Sequence, residues 1–474
     1  MANSPIRVLV SVSDNYGISL YRVKEPHIAL QKLFPDDFIV DIVDTSLIPW
    51  NDINYFKDYQ ILFSHREFVP DNMMEEFCYN MKQINVITIL DYDDYWELYS
   101  THPLYHVSKQ ENMAEKLKRN IKCVDYITTT TPVFADYIKP INKNVIVFPN
   151  GVDDNLKQYA GGKEKEKSDK VRIMWSGGSS HIADIELLRD GLNILSTDQK
   201  LKDQFQLHLV GFDLRGSTTN LKFNPELEQD LKTIGWPINK QFLSNLEKSK
   251  FDLNVFPSIP QNIRDKYKDN VVIKESRDIT PKESVWYEYE KIFTNNYKLI
   301  KDQNYIDYLN KFNLDEKYPN VLTEQPYVRH KTQGIYKFAE NYKHADVALA
   351  PLMVHGKVKD GRFDDSVANR FQFAKSNLKV IEAGIHKVPV IASDVPTYNH
   401  DKDFVDGKNI LFVKPERQEK DWYGKIKRLI QNPNQISDMG EAAYEIIKTK
   451  YHVDVIANKR SEFYKEIVEK HNRF

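Results

Sequence analysis

Cysteine is nearly absent from this 474-residue chain, which has only Cys78 and Cys123. Two cysteines build neither a disulfide framework nor a thiolate zinc site, and they read as buried thiols in a reducing cytosol. Long hydrophobic runs are missing too: no stretch approaches the ~18 apolar residues of a membrane span. The opening segment, MANSPIRVLVSVSDNYG, lacks the layout of a secretory signal, because its first apolar run is short and β-like. No sign of charge prevails. With 66 Lys and Arg against 68 Asp and Glu, the net is −2, so there is no global basic footprint for nucleic acid. There is no solenoid repeat, no low-complexity tract and no Ser-His-Asp or Cys-His arrangement. These absences predict a soluble, cytoplasmic protein.

What is present is an ordinary globular composition, 41% hydrophobic and 28% charged, on a chain long enough for two or three domains. The charge is uneven. Residues 1–150 carry 14 Lys and Arg against 20 Asp and Glu, a net of −6, leaving +4 for the remainder. A polyanionic ligand is therefore expected against the second part.

Short apolar runs alternate with helical periodicity from the start. Ile6–Val12 reads as a buried parallel strand, followed by the turn cluster Ser13–Gly17 and a helix from about Ser19 to Phe34. DFIVDIVD, YQILFSH, INVITILDYDD, VDYITTTT and KNVIVFPNGVD continue the series. Strands alternating with helices imply an open parallel sheet with helices on both faces. Tyr159–Lys170, rich in glycine and charge, reads as a linker. From Val171 the same grammar restarts, with later strands expected in FQLHLVGF, FDLNVFP, ADVALAPL, KVPVIAS and NILFVK. The expected domains are 1–160 and 171–450, the second carrying an insertion at about 260–334 with a helix in ESVWYEYEKIF. Two helices close the chain, and the last, 451–474, is expected to pack back on the first domain.

Two such domains place one crevice between two rows of strand C-termini, where ligands of open α/β sheets bind. The loops after strands are the places to look. Ser176–His181 reads SGGSSH, between a strand and a helix. Gly177 and Gly178 let a ligand approach the backbone, and Ser179 and His181 lie where free N–H groups attract phosphate. A plain tight turn explains the same residues. FAKSNLKVIEAGIHKVPVIASDVP puts Lys375 and Ser376 at a second expected strand-to-helix junction, with Asn377 and Leu378 opening the helix. Glu382 then lies two turns in, facing the crevice, where a carboxylate accepts two hydrogen bonds from a ribose diol. Lys375 would meet the diphosphate as a point charge. The competing reading pairs Glu382 with Lys379 or Lys387 on a surface helix. Asp91, Asp93 and Asp94 end a strand, as cation ligands, a general base, partners of sugar hydroxyls or a helix cap. In the first crevice loop Gly17 permits close approach of the donor, and Tyr16, Tyr21 and Arg22 are placed on the acceptor side. His102 joins them, although lone histidines are more often structural.

The stretches HADVALAPL, FAKSNLKVIEAGIHKVPVIASDVPTY and DGKNILFVKPERQEKDW resemble the C-terminal half of glycosyltransferase family 4 and its relatives, and WSGGSSHIADIELL resembles the start of that family's donor domain. ISLYRVKEP, LDYDDYWEL, VDYITTTTPVFADYI and VIVFPNGVD are similar to N-terminal segments of its bacterial and phage members. The resemblance implies an α/β protein of the GT-B fold: two Rossmann-like doubly wound domains facing a central cleft, with C-terminal helices. Glu382 matches the second glutamate of the family's Glu-x7-Glu motif, which implies a ribose contact. The first glutamate falls at Ala374 and is missing. Lys375 to Leu378 match the loop that meets diphosphate and sugar, and Gly177 and Gly178 match the phosphate-facing turn. Lys375, Arg329 and Arg215 are the candidates for the diphosphate cations.

The function so implied is transfer of a hexosyl or pentosyl group from a nucleotide sugar, UDP-linked, to an acceptor hydroxyl. Retention at the anomeric carbon follows from the family, and no metal or other cofactor is expected. Asp91, Asp93, Asp94 and Lys375 form the expected catalytic set. The acceptor is a glycan or lipid-linked saccharide, with peripheral membrane contact, or else a hydroxymethylated base of phage DNA. The missing glutamate at Ala374 leaves open a nucleotide-sugar sensor or an inactive scaffold subunit, and a sugar-nucleotide epimerase shares the fold.

Overall fold

The computed structural model describes residues 4–13, 17–102, 104–160, 162, 164–213, 217–279, 283–294, 327–356, 358 and 362–471. They form two compact units, a larger one that runs to Phe212 and resumes at Glu288, and a smaller one over Asp213–Tyr287.

The larger unit contains two six-stranded sheets, each parallel throughout. The first is built from β1 (Ile6–Val12), β2 (Phe38–Asp44), β3 (Ile61–His65), β4 (Ile87–Tyr92), β5 (Tyr126–Thr129) and β6 (Val145–Val147), in the order β2-β1-β3-β4-β5-β6. Its central strands are apolar on both sides because both faces are covered. Leu9, Leu62 and Leu90 enter one core, while Val8, Val10, Ile61 and Phe63 enter the other, as the two-residue period of a strand requires. The helix Val453–His471 closes that second face, packing Ala457, Tyr464 and Ile467 against it. The Tyr464 hydroxyl lies 2.8 Å from Nε2 of the buried His27. Cys78 and Cys123 meet in the other core as free thiols, their sulfurs 3.4 Å apart.

The second sheet takes β7 (Val171–Ser176) and β8 (Phe205–Phe212). After the antiparallel ribbon of β9 (Ser217–Phe223) and β10 (Val272–Asp278) in the smaller unit, it takes β11 (Tyr327–Lys331), β12 (Val347–Ala350), β13 (Val390–Ser393) and β14 (Ile410–Val413). Its order is β11-β8-β7-β12-β13-β14. The described part of Tyr159–Lys170 is no free linker. Tyr159 is buried, the Glu166 amide donates to the Lys343 carbonyl at 3.0 Å, and the Lys165 ammonium donates to the Ala345 carbonyl.

The interruption of the second sheet starts at Asp213, directly after β8, and so earlier than about 260. FDLNVFP is accordingly not a strand. Leu253–Val255 form a 3-10 turn, after Lys250 and Phe251 with φ of 57° and 66°. Leu253 fills the core of the smaller unit beside Leu227, Leu231, Phe242 and Leu246. A short apolar run signals burial without saying in which element. The helix expected in ESVWYEYEKIF forms as Val285–Thr294, and 295–326 lie outside the described residues. No helix among the described residues is long and apolar enough to cross a membrane.

Candidate active site

A cavity of about 760 Å³ opens within the larger unit, at the ends of β4 and β7. The helix Leu378–Ile385 supplies Leu378, Lys379 and Glu382 to it; the last two, three residues apart, share one face of a helix. The element before it is a helix, Val367–Ala374, and not a strand. Ser366 caps it, accepting from the Asn369 amide at 3.2 Å. The corner Lys375–Asn377 therefore joins two helices. Phe371 and Ala374 enter the core beneath the first sheet and Phe373 the core beneath the second, so a helix wedged between two cores shows an apolar pattern that a strand would also give.

Glu382 is only 8% exposed, which removes the surface-helix reading; Lys387 pairs with Glu441 at 2.8 Å instead. Glu382 Oε1 accepts from the Tyr21 hydroxyl at 2.6 Å. Burial pushes the Glu382 carboxyl up to about 7, against the opposing pull of Tyr21 and the Lys379 charge. The Lys379 ammonium donates to the Ser176 carbonyl and stands 5.3 Å from the centre of the Trp175 ring. Burial draws its pKa down to about 8. Lys379 is a cavity cation that sequence reasoning weighed only as a partner for Glu382; its four-residue spacing from Lys375 was the available signal. Lys375 packs 5.2 Å from the Phe371 ring centre and lines the cavity with Ser376. It has no carboxylate at ion-pair distance among the described residues.

After β7, Gly177, Ser180 and His181 line the cavity. A Cβ on Gly177 would stand 2.8 Å from the Trp175 ring and 3.0 Å from Lys379 Nζ, so glycine is what leaves that ammonium in place. His181 Nδ1 is 2.7 Å from Asp184 Oδ2; burial, partly offset by Asp184, lowers the imidazole pKa to about 4, so the ring is neutral. Gly178 and Ser179 lie outside the lining: the Gly178 carbonyl accepts from the Tyr289 hydroxyl at 3.2 Å, and Ser179 faces solvent. Asn377 is buried and donates to the Tyr451 hydroxyl at 3.2 Å.

After β4, Asp93, Asp94 and His102 line the same cavity. Burial alone would raise the Asp93 carboxyl, but hydrogen bonds from His65 and Arg66, each at 2.9 Å, hold it below its usual range. Among the described residues Asp94 has only a long contact to Arg66, at 3.5 Å; burial and the neighbouring Asp93 raise its carboxyl. Trp96 also lines the cavity. It is 5% exposed, and its indole N–H has no hydrogen-bond partner among the described residues.

Four expected contacts are corrected by burial. Arg22 and Asp91 form an ion pair at 2.6 Å, 3% and 0% exposed. Asp91 also accepts from Thr128 at 2.5 Å, and Arg22 donates to the Phe148 carbonyl. Neither can meet an acceptor or take part in its chemistry. Tyr21 is also buried, with its hydroxyl engaged by Glu382. Arg329, on β11, is 3.2 Å from Glu290 and lies over the Phe212 ring, so it serves the sheet edge and not a diphosphate. Gly17 is outside the cavity lining, and a Cβ there would meet nothing closer than 3.5 Å. Tyr16 and Arg215 lie outside the described residues. Asp153, Asp154 and His452 approach one another closely enough to share an ion, but they are not part of the cavity, and Asp154 already accepts from Tyr444 and Lys448.

No family model matches the chain, and no curated protein matches it. Solved structures do. Sucrose-phosphate synthase from Thermosynechococcus elongatus aligns with 99% of this chain and 100% of its own, at 13% identity and a TM-score of 0.50. A glycosyltransferase from Rickettsia africae covers 98% and 99%, at 12% identity and a TM-score of 0.52. HepE from Anabaena, solved with UDP and glucose, covers 97% and 100%, at 10% identity and a TM-score of 0.51. At such identities the likeness concerns the fold: two doubly wound parallel α/β sheets followed by C-terminal helices, the GT-B architecture.

Proposed function

We propose that the protein is a glycosyltransferase that moves a hexosyl or pentosyl group from a UDP-sugar to an acceptor hydroxyl, with retention and without a metal. The observation that carries this reading is one cavity holding a buried carboxylate, Glu382, and two ammonium groups, Lys375 and Lys379. A ribose diol suits the first, and a diphosphate suits the other two. Charge develops on the diphosphate as the glycosidic bond breaks, and preorganised cations are worth most there. The anomeric carbon becomes oxocarbenium-like; the acceptor oxygen bonds to it on the face from which UDP departs, and Asp94, a cavity carboxylate without a close hydrogen bond among the described residues, orients the acceptor hydroxyl and takes its proton. The UDP assignment draws support from HepE, solved with UDP-glucose at a TM-score of 0.50. In this reading the second sheet binds the donor and the first the acceptor, in the cytoplasm.

One observation favours a second reading, a nucleotide-sugar sensor. Ala374 is fully buried, so no carboxylate stands where the resemblance puts a sugar contact. Incubation with a panel of UDP-sugars, read as UDP release by chromatography, separates the two. The proposal expects slow release that Lys375→Ala abolishes. UDP-sugar binding with no release, with or without sugar acceptors, would make the protein a sensor.

A further inference from the structure

We propose that the acceptor is lipid-linked: a polar end carries the accepting hydroxyl to Asp94, and an apolar chain lies along an arm of the cavity lined by Leu98, Leu104, Val107, Met113 and Leu117. This inference rests on the glycosyl-transfer reading and narrows its acceptor.

The cavity is one space, but its walls change character. Around Lys375, Lys379, Glu382 and His181 the lining is charged or polar. On the first-sheet side it becomes aromatic at Trp96 and Tyr99, then mainly aliphatic, with Ser108 and Glu111 interspersed, along the stretch that carries the short helix Tyr105–Gln110 and the start of Met113–Cys123. A saccharide extended into that arm would bring a hydroxyl on nearly every carbon, and each would need a partner or lose its water without compensation. The five aliphatic side chains offer none, and Ser108 and Glu111 are too few for a whole saccharide. An alkyl or prenyl chain needs none, and gains from leaving water.

Part of this aliphatic lining is apolar surface left in water. Leu104 is 60% exposed, Val107 56% and Met113 38%. Three large apolar side chains within ten positions, continuous with a cavity, mark a place that something apolar covers. The same lining also carries polar features: the Asp94 carboxylate and the unpartnered indole N–H of Trp96. The lining thus offers polar groups at Asp94 and Trp96 and exposed apolar groups at Leu104, Val107 and Met113, as an amphipathic molecule requires.

Charge argues against the nucleic-acid acceptor. Asp93, Asp94 and Glu111 line this side, where Arg66 is already paired with Asp93 and Asp94, and the first 150 residues carry a net charge of −6. A phosphate backbone brought to this wall would meet carboxylates where it needs counter-charge.

The test uses the full chain and a series of probes: methyl, hexyl and octyl β-D-glucoside below micellar concentration, titrated calorimetrically with UDP present. Affinity is expected to rise with chain length, by up to about fourfold for each methylene buried. The double variant Leu104→Asp/Val107→Asp, altered at exposed positions, is expected to flatten that rise while its melting curve stays cooperative. Equal affinity for methyl and octyl glucoside, or an unchanged slope in the double variant, would overturn the proposal. So would a hydroxymethylated DNA duplex that displaces octyl glucoside with strongly salt-dependent affinity. UDP is titrated separately on the same preparation. Normal UDP binding with a flat slope removes the lipid-linked acceptor alone, whereas absent UDP binding removes the glycosyl-transfer reading.

Discussion

The Tyr21 hydroxyl, in the first crevice segment, donates to Glu382 Oε1 at 2.6 Å, 361 positions further along the chain. The bond joins a residue next to the first sheet to the carboxylate proposed to hold ribose. It also helps the carboxylate to ionise, against the burial that pushes it up to about 7.

Ribose binding needs the ionised carboxylate, so UDP affinity should rise with pH through about 7. Glu382→Gln should remove that dependence, and Tyr21→Phe should move its midpoint upward. Stability runs the other way. A carboxyl raised from 4.5 to about 7 in the folded state contributes stability that is fully present below the lower value and lost as pH rises through the higher. The span corresponds to about 3 kcal/mol. Thermal melts of the ligand-free protein should therefore decline across that window, and the decline should shrink in Glu382→Gln. Melts that do not differ between the two proteins would count against a buried carboxyl at this position.

Lys375 presents an amine to the cavity with no described carboxylate at ion-pair distance, although its charge acts on Asp94 and Asp184. Lys375→Ala should weaken UDP binding by about 10- to 100-fold, in line with a charge-assisted contact, and leave uridine binding unchanged. Calorimetry with both ligands is the check. Equal losses for uridine and UDP would place the effect away from the diphosphate.

Gly177 keeps Lys379 against Trp175. With Gly177→Ala, the new methyl would sit 2.8 Å from the indole ring. The expected results are a fall in UDP affinity of about tenfold and a stability loss of about 1–2 kcal/mol, the usual cost of local overpacking. Urea unfolding and UDP titration measure the two separately.

Asp91 lies on β4 and Asp94 two residues past its end, with opposite consequences. Asp91→Ala leaves the Arg22 guanidinium buried without its carboxylate and should cost about 3–5 kcal/mol, seen as a lower urea midpoint. Asp94→Asn relieves repulsion from Asp93 and should leave the midpoint unchanged or raised. Transfer should fall by about 100-fold or more, as for loss of a general base. If Asp94→Asn were fully active, the proton would have to go elsewhere.

The two sheets were legible because parallel strands buried on both faces are written as compact apolar runs, and FQLHLVGF became β8 residue for residue. FDLNVFP was not, because an apolar run of that length fits a packed turn as well as a strand. At the site, His181 follows from its place after a strand, whereas Lys375 and Glu382 line the cavity although the junction expected before them is a corner between two helices. Arg22, Asp91 and Arg329 do not, because one strand end presents residues to a crevice or to a neighbouring helix according to side-chain direction. Asp91 turns toward Arg22, and Asp93, two positions on, turns toward His65 and Arg66 beside the cavity. Sequence cannot show that Arg329 meets Glu290, since the pairing depends on where a helix beyond the end of β10 returns.

The helix Val453–His471 has a consequence for how the protein is made. His27 finds Tyr464 only 437 positions later, so during translation one flank of the first sheet emerges from the ribosome long before its cover exists. The early strands must pass that interval with apolar flanks open to chaperones, or to other nascent copies. Emergence of Val453–His471 from the ribosome, and not completion of the amino-terminal sheet, then sets the moment at which this half of the molecule becomes resistant to proteases.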